Sequence, residues 1–252
     1  MSTIISFKDV RKSFDSGLDV LKGINLQIDH GESHIILGRS GCGKSVLIRC
    51  LLGILKISSG DIITDSVSVT DREKKQEYIK KFSVLFQGNA LFDSMTLLDN
   101  VKFGASQINK NKSECNEIAK KNLKAVGLEE RVFDLYPSEV SGGMQKRAAL
   151  ARAISLDPKV LIFDEPTSGL DPVTGGIICN LLKDTIQSCG VTAITITHDL
   201  RVAEFLADRV SVLNGGQICW TGIAKDMKDC DNDFVKDFYE ASNVILRKKK
   251  SA

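Results

Sequence analysis

No stretch of this sequence approaches the roughly 18 consecutive apolar residues that a membrane-spanning helix needs, and Lys8 and Asp9 interrupt its opening before a signal-peptide core can form. A soluble, unexported chain is the expectation. The seven cysteines, at 42, 50, 115, 179, 189, 219 and 230, form no C-x-x-C pair and are odd in number. That argues against a disulfide framework or a zinc site and for a reducing cytosol. Net charge is only +2, whereas a nucleic-acid binder would show a basic face or stripe, so no nucleic acid is expected as a partner. The one basic run, Arg247-Lys248-Lys249-Lys250, reads as a solvated end or as a contact for anionic lipid headgroups. What the chain does have is 42% hydrophobic and 26% charged residues over 252 positions, enough for one large α/β domain with an inserted lobe.

The chain opens with short β-type runs, 4–10, 24–28 and 34–37, separated by Gly and Asp. A helix is expected after Gly43, with Val46, Leu47, Leu51 and Leu52 on its apolar face. From about 88 to 140 the texture becomes rich in Asn, Lys and Glu, with a helix capped by Ser113 and ended by Gly127. From 159 strands and helices alternate again. KVLIFDE and VTAITIT read as buried parallel strands, joined by a helix begun at Asp171-Pro172 and stopped at Gly190. RVSVL and QICWT flank Asn214-Gly215-Gly216, a hairpin signal.

Three motifs carry chemistry. Gly38-Arg39-Ser40-Gly41-Cys42-Gly43-Lys44-Ser45 is a full G-x-x-x-x-G-K-S between an apolar strand and an amphipathic helix. Its glycines let backbone N–H groups face phosphates, Lys44 can reach the β- and γ-phosphates, and Ser45 can ligate Mg²⁺. Cys42, inside that loop, is either a site where alkylation inhibits or a small tolerated side chain. Asp164 and Glu165 end the apolar run Val160–Phe163. There Asp164 suits the Mg²⁺ shell and Glu165 the polarising of an attacking water. Ser141-Gly142-Gly143 opens a helix of good helix formers, and reads as a second anion site or a plain N-cap.

With these motifs in this order the chain resembles the ABC ATPase family over nearly its whole length. The resemblance implies a P-loop NTPase α/β fold: a mainly parallel core sheet, an N-terminal antiparallel β subdomain and an inserted helical lobe. The expected division is a core of 1–87 and 159–222, a helical lobe of 88–158 and a C-terminal helical extension with a basic tail, 223–252. It further implies a homodimer with two composite ATP sites, in which Ser141, Gly142 and Gly143 of one subunit cover the γ-phosphate held by the phosphate loop, Gly38 to Val46, of the other.

The same resemblance makes Gln87 the glutamine that approaches Mg²⁺ and water, and His198 the histidine that contacts the γ-phosphate. It makes Ser168-Gly169-Leu170-Asp171 the loop joining the two sites, although Asp171 also reads as an N-cap. Phe14 takes the place of the aromatic that stacks on adenine, or else is core. Met144 departs from the commonest signature, which has Gln there, and Gln145 does not restore the pattern.

The stretches FQGNALFDSMTLLDNV, PSEVSGGMQKRAALARAI and FDEPTSGLDPVTG resemble the ATPase subunits of Mla-type, or toluene-tolerance-type, phospholipid transporters, where Met144 is expected. That implies an ATPase peripheral on the cytoplasmic side of the inner membrane, beneath an integral-membrane permease dimer. Further expected partners are a periplasmic MCE lipid-binding protein and, in some complexes, a STAS-domain protein. Leu91, Phe92, Met95, Leu97 and Leu98 would then meet the permease, or pack inside the lobe. ABC ATPases for amino acids or lipoproteins share most of the motifs. A non-transport ABC protein, as in cell division, is disfavoured by the lack of a coiled-coil insertion, a second ATPase domain or an extended basic run. A small-molecule kinase would not explain Ser141-Gly142-Gly143, Gln87 and His198 together.

Overall fold

The structure, a computed structural model, describes residues 2–86, 88, 90–108 and 111–250, the last eight of these as backbone only. In chain order the first half holds β1 (Thr3–Ser13), β2 (Asp19–Asp29), β3 (Ser33–Leu37), α1 (Lys44–Leu51), β4 (Ser59–Thr64), β5 (Val67–Ser68), α2 (Lys75–Ile79) and β6 (Phe82–Leu85). Helices α3 (Leu97–Ser106), α4 (Lys112–Ala125) and α5 (Gly142–Ile154) follow, then β7 (Val160–Asp164), α6 (Pro172–Cys189), β8 (Thr192–Thr197) and α7 (Leu200–Leu206). The hairpin β9 (Arg209–Asn214) and β10 (Gln217–Gly222) and a last helix α8 (Asp233–Lys250) complete the chain. Two compact units result, residues 1–80 with 192–252, and residues 81–191.

In the first unit β3 is flanked by β8 and β9, both parallel to it. All five residues of β3 and all six of β8 are buried, which is why both read as unbroken apolar or Thr-rich runs and not as alternating ones. β10 closes that sheet antiparallel to β9 across Gly215 and Gly216, both at positive φ, as a two-residue hairpin turn requires. β1 pairs antiparallel with β2 and with β4, forming a separate β subdomain. Inside the parallel sheet His34 is fully buried yet satisfied, its ring nitrogens 2.8 Å from Glu32 Oε1 and 2.9 Å from Ser211 Oγ.

The second unit pairs β6 parallel to β7 and packs α3, α4 and α5 as the helical lobe. The α/β class, the parallel strands, the antiparallel subdomain and the lobe are thus those expected from the sequence. One local expectation is corrected. The cap of α4 is Asn111, whose side chain accepts from Glu114 N, and not Ser113, which lies in the first turn; Asn is as good a cap as Ser. Of the residues read as meeting a permease or packing inside the lobe, Leu97 is fully buried inside the lobe, whereas Phe92 is 41% exposed.

Candidate functional site

β3 runs straight into the glycine loop, and two backbone contacts fix how it leaves the sheet. Gly38 N donates to Thr197 O at 3.3 Å, and a Cβ at Gly38 would lie 2.6 Å from Leu213 O, so only glycine lets the loop pass β9 this closely. Gly43 has φ of 108°, a conformation that L side chains rarely adopt, and a Cβ there would also press on Val20. Lys44, only 7% exposed, folds back so that its ammonium donates to Gly38 O at 2.7 Å and Arg39 O at 3.1 Å. The loop closes around its own lysine. Ser40, Gly41 and Ser45 are exposed, and Val46 is half-buried.

α1 begins at Gly43 with no side-chain cap and no acidic residue in its first turn, while α3, α4, α5 and α6 each start at a capping side chain. A helix start without a capping side chain, preceded by positive-φ glycines, suits an anion. Burial pushes the half-buried Cys42 thiol up, against the pull of Lys44. It is therefore held as the weakly reactive thiol, which favours the reading of Cys42 as a tolerated small side chain.

Leu37 of β3 pairs with Thr197 of β8, so His198, exposed one residue beyond β8, stands at the strand end beside the one that launches the phosphate loop. Phe14 lies in the β1–β2 turn, half-buried, with the Lys12 ammonium 4.9 Å from its ring centroid. That turn leads into Val20, which abuts the Gly43 position. The first unit therefore gathers Phe14, Gly38 to Val46 and His198 from three separate sequence regions. Arg39 adds a contact that motif reading missed: its guanidinium sits over the Phe234 ring at the start of α8, 5.1 Å from the centroid. Residues 195 positions apart leave no local signal for it.

The second unit carries the remaining candidates, except Gln87, which lies outside the described residues. Asp164 ends β7 half-buried, and Glu165 follows with φ of +49°, a costly conformation for a non-glycine residue and one found disproportionately at active sites. Ser168 N donates to Glu165 O at 3.0 Å, closing the turn that holds it.

Asp171 acts as the N-cap of α6, accepting from Val173 N and Thr174 N, each at 3.0 Å, and a hydrogen bond from the Thr174 side chain, with those backbone bonds behind it, holds its carboxyl below the usual range. Ser141 caps α5 in the same manner through Met144 N at 3.3 Å, with Gly142 exposed and Gly143 half-buried behind it. Gln145 is occupied elsewhere, its amide donating to Pro137 O at 2.8 Å, so it could not restore the signature. Among the described residues no three His, Cys, Asp or Glu side chains gather as a metal cage.

Comparison with known proteins gives this geometry its family. The ABC transporter family model matches residues 21–168. The glutamine transport ATP-binding protein GlnQ of Escherichia coli is 40% identical over 221 residues, covering 87% of this chain and 91% of its own. The probable ribonucleotide transport ATP-binding protein mkl of Mycobacterium leprae is 36% identical over 97% of this chain and 71% of its own. Among solved structures, cbiO1 of Clostridium perfringens, part of an ABC transporter complex, superposes with a TM-score of 0.84 at 30% identity over 99% of this chain and 100% of that one. The ATP-binding cassette MJ0796, a dimer bound to ADP and Pi, gives 0.79 at 31% identity over 88% of this chain and 99% of that one. With its phosphate loop, its uncapped helix and these relatives, the chain belongs to the ABC transporter family, as one of its ATP-binding, ATP-hydrolysing cassettes.

Proposed function

We propose that the chain is the ATPase subunit of an inner-membrane ABC transporter of the Mla type, one that moves phospholipid. On this reading it works as a homodimer on the cytoplasmic face beneath a permease dimer, with a periplasmic MCE lipid-binding protein and, in some assemblies, a STAS-domain protein. The ATPase part of the reading is carried by one observation: α1 starts uncapped behind a glycine loop folded around Lys44. The lipid part rests on the three resembling stretches and on Met144, which departs from the commonest signature. Functionally the chain divides into a catalytic core of 1–87 and 159–222, a lobe of 88–158 that carries the signature, and an extension from 223.

The residues divide the work by their chemistry. The N–H groups of Gly38 to Val46 and the Lys44 ammonium bind the nucleotide phosphates, and Phe14 stacks on the base. Ser45, Asp164 and Gln87 would hold Mg²⁺, which when bound supplies charge neutralisation at the transferred phosphate. Glu165 polarises the attacking water and His198 orients the γ-phosphate, while Ser141, Gly142 and Gly143 serve the partner subunit's nucleotide. Asp171 joins the two sites through its loop. Phe92 and Met95 supply part of the permease contact.

A second reading keeps the mechanism and changes the cargo. The 40% identity to a glutamine transport protein favours an amino-acid importer. A pull-down of the tagged chain from detergent-solubilised membranes decides between them. Recovery of an MCE protein and bound phospholipid is expected. A permease of another class would overturn the lipid assignment alone, and no membrane protein at all would overturn the transport assignment. Within the dimer, mixing in Ser141→Arg subunits should lower turnover in proportion to their fraction; activity that stays level would remove Ser141 from the composite site.

A further inference from the structure

Lys146 lies on the second turn of α5, one turn beyond the Ser141-Gly142-Gly143 opening, and is only 5% exposed. Its ammonium donates to Pro166 O at 2.8 Å and to Ser168 O at 3.0 Å. Both acceptors are carbonyls, and the one cause that moves its pKa is burial, which lowers it. A buried cation held by neutral groups is an expensive way to stabilise a fold, since an apolar side chain of similar volume usually does as well or better. Its value must lie in where it holds the chain.

What it holds is the turn that begins at Glu165. Ser168 N closes on Glu165 O, and Glu165 itself sits at φ of +49°. Backbone strain of this kind persists only when the surroundings over-determine it. Two further contacts make the joint stiff. A Cβ at Gly143 would lie 3.1 Å from Thr174 Cγ2, so the first turns of α5 and α6 are nearly touching, and a Cβ at Gly175 would lie 3.8 Å from the Thr167 side chain.

We propose that Lys146 is a positioning residue for ATP hydrolysis: it clamps the Pro166 and Ser168 carbonyls, and so couples the Ser141-Gly142-Gly143 turn to the placement of the Glu165 carboxylate. A shift of the signature turn is then transmitted rigidly to the residue that polarises water. The inference rests on the role given to Glu165 above. It predicts an effect on the hydrolytic step and not on nucleotide capture, because Lys146 touches no candidate phosphate-binding atom of its own loop.

The test compares the parent, Lys146→Met, Lys146→Gln and Glu165→Gln, all as the full chain in its transporter complex, for unfolding midpoint, MgATP affinity and kcat. Lys146→Met keeps the length of the side chain and removes the donor; kcat should fall at least about tenfold with MgATP affinity within about twofold, since small misplacements of a catalytic group cost that much or more. Lys146→Gln keeps a donor for a carbonyl and should recover most of the lost kcat. Parent-like kcat in Lys146→Met overturns the proposal, as does a loss that tracks MgATP affinity. If Lys146→Met does not fold, Lys146→Gln decides: near-parent kcat supports the clamp, and a kcat as low as background in a folded Lys146→Gln overturns it. A fully active Glu165→Gln would instead strike the underlying role of Glu165, leaving a distinguishable result.

Discussion

Two glycine-rich turns open helices in this chain, and they differ in what their helix starts hold. The Ser141-Gly142-Gly143 turn caps its own helix, with Ser141 Oγ accepting from Met144 N. The Gly38 to Gly43 loop leaves α1 without a side-chain cap and spends its lysine on closing the loop. A turn that satisfies itself can be complete before any ligand arrives, while an uncapped start behind positive-φ glycines is built for an anion. The same residue types therefore leave one helix start uncapped and close the other with its own side chain.

Glu165, proposed to polarise the attacking water, gives the hardest test of that division. Glu165→Gln should lower ATP turnover by at least about a hundredfold while MgATP affinity stays within about twofold, because a neutral amide removes the base and leaves the phosphate loop untouched. Rapid-quench turnover beside equilibrium titration would check it, and parent-like turnover would withdraw Glu165 from catalysis. Next in size, Lys44→Ala should weaken MgATP binding about tenfold or more through loss of a point charge from the phosphates; unchanged affinity by calorimetric titration would erase the contrast between the two turns.

Ser141→Ala sharpens the contrast from the other side. Loss of an N-cap costs about 1 kcal/mol, so the unfolding midpoint in urea should drop modestly while MgATP affinity of the isolated chain does not move. A large affinity loss there would mean that this turn, too, binds within its own subunit.

The smallest effect concerns the sheet that supports the phosphate loop. Burial raises the Glu32 carboxyl, but hydrogen bonds from His34 and from Asp29 N, with the charge of Arg209, outweigh it and leave the pKa below its ordinary 4.5. A depressed carboxyl contributes stability that is complete above about pH 4.5 and is lost as pH falls through the lower folded value. Thermal unfolding of Glu32→Gln should therefore depend less on pH in that acid window than the parent does. Identical acid profiles would assign the acid sensitivity to other carboxylates.

Much of this was legible because it is local. The strand, loop and helix around Gly38 to Ser45, the Asp171-Pro172 start and Gly190 stop of α6, and the Asn214-Gly215-Gly216 hairpin each depend on residues within a few positions of one another. The reading faltered where two local options were nearly equal, as with Asn111 and Ser113 at the start of α4. It left a choice open where a third dimension decided exposure, as with Leu97, which either met a partner or packed inside the lobe and which the lobe buries. The mutual placing of Phe14, the phosphate loop and His198 was expected by resemblance, but its cause, the pairing of Leu37 with Thr197 and the approach of Val20 to Gly43, lies between segments far apart in sequence.

The sequence alone determined the phosphate loop, the succession β7, α6 and β8, the β9–β10 hairpin and the family to which the chain belongs, since backbone preference and residue chemistry act over short spans. Only the tertiary structure decided that Lys44 folds into its own loop, that Arg39 rests on Phe234 and that Lys146 grips the turn after Glu165. Each of those contacts exists because packing brings a charged side chain to groups that chain connectivity keeps apart or leaves unoriented, and burial then makes the contact matter.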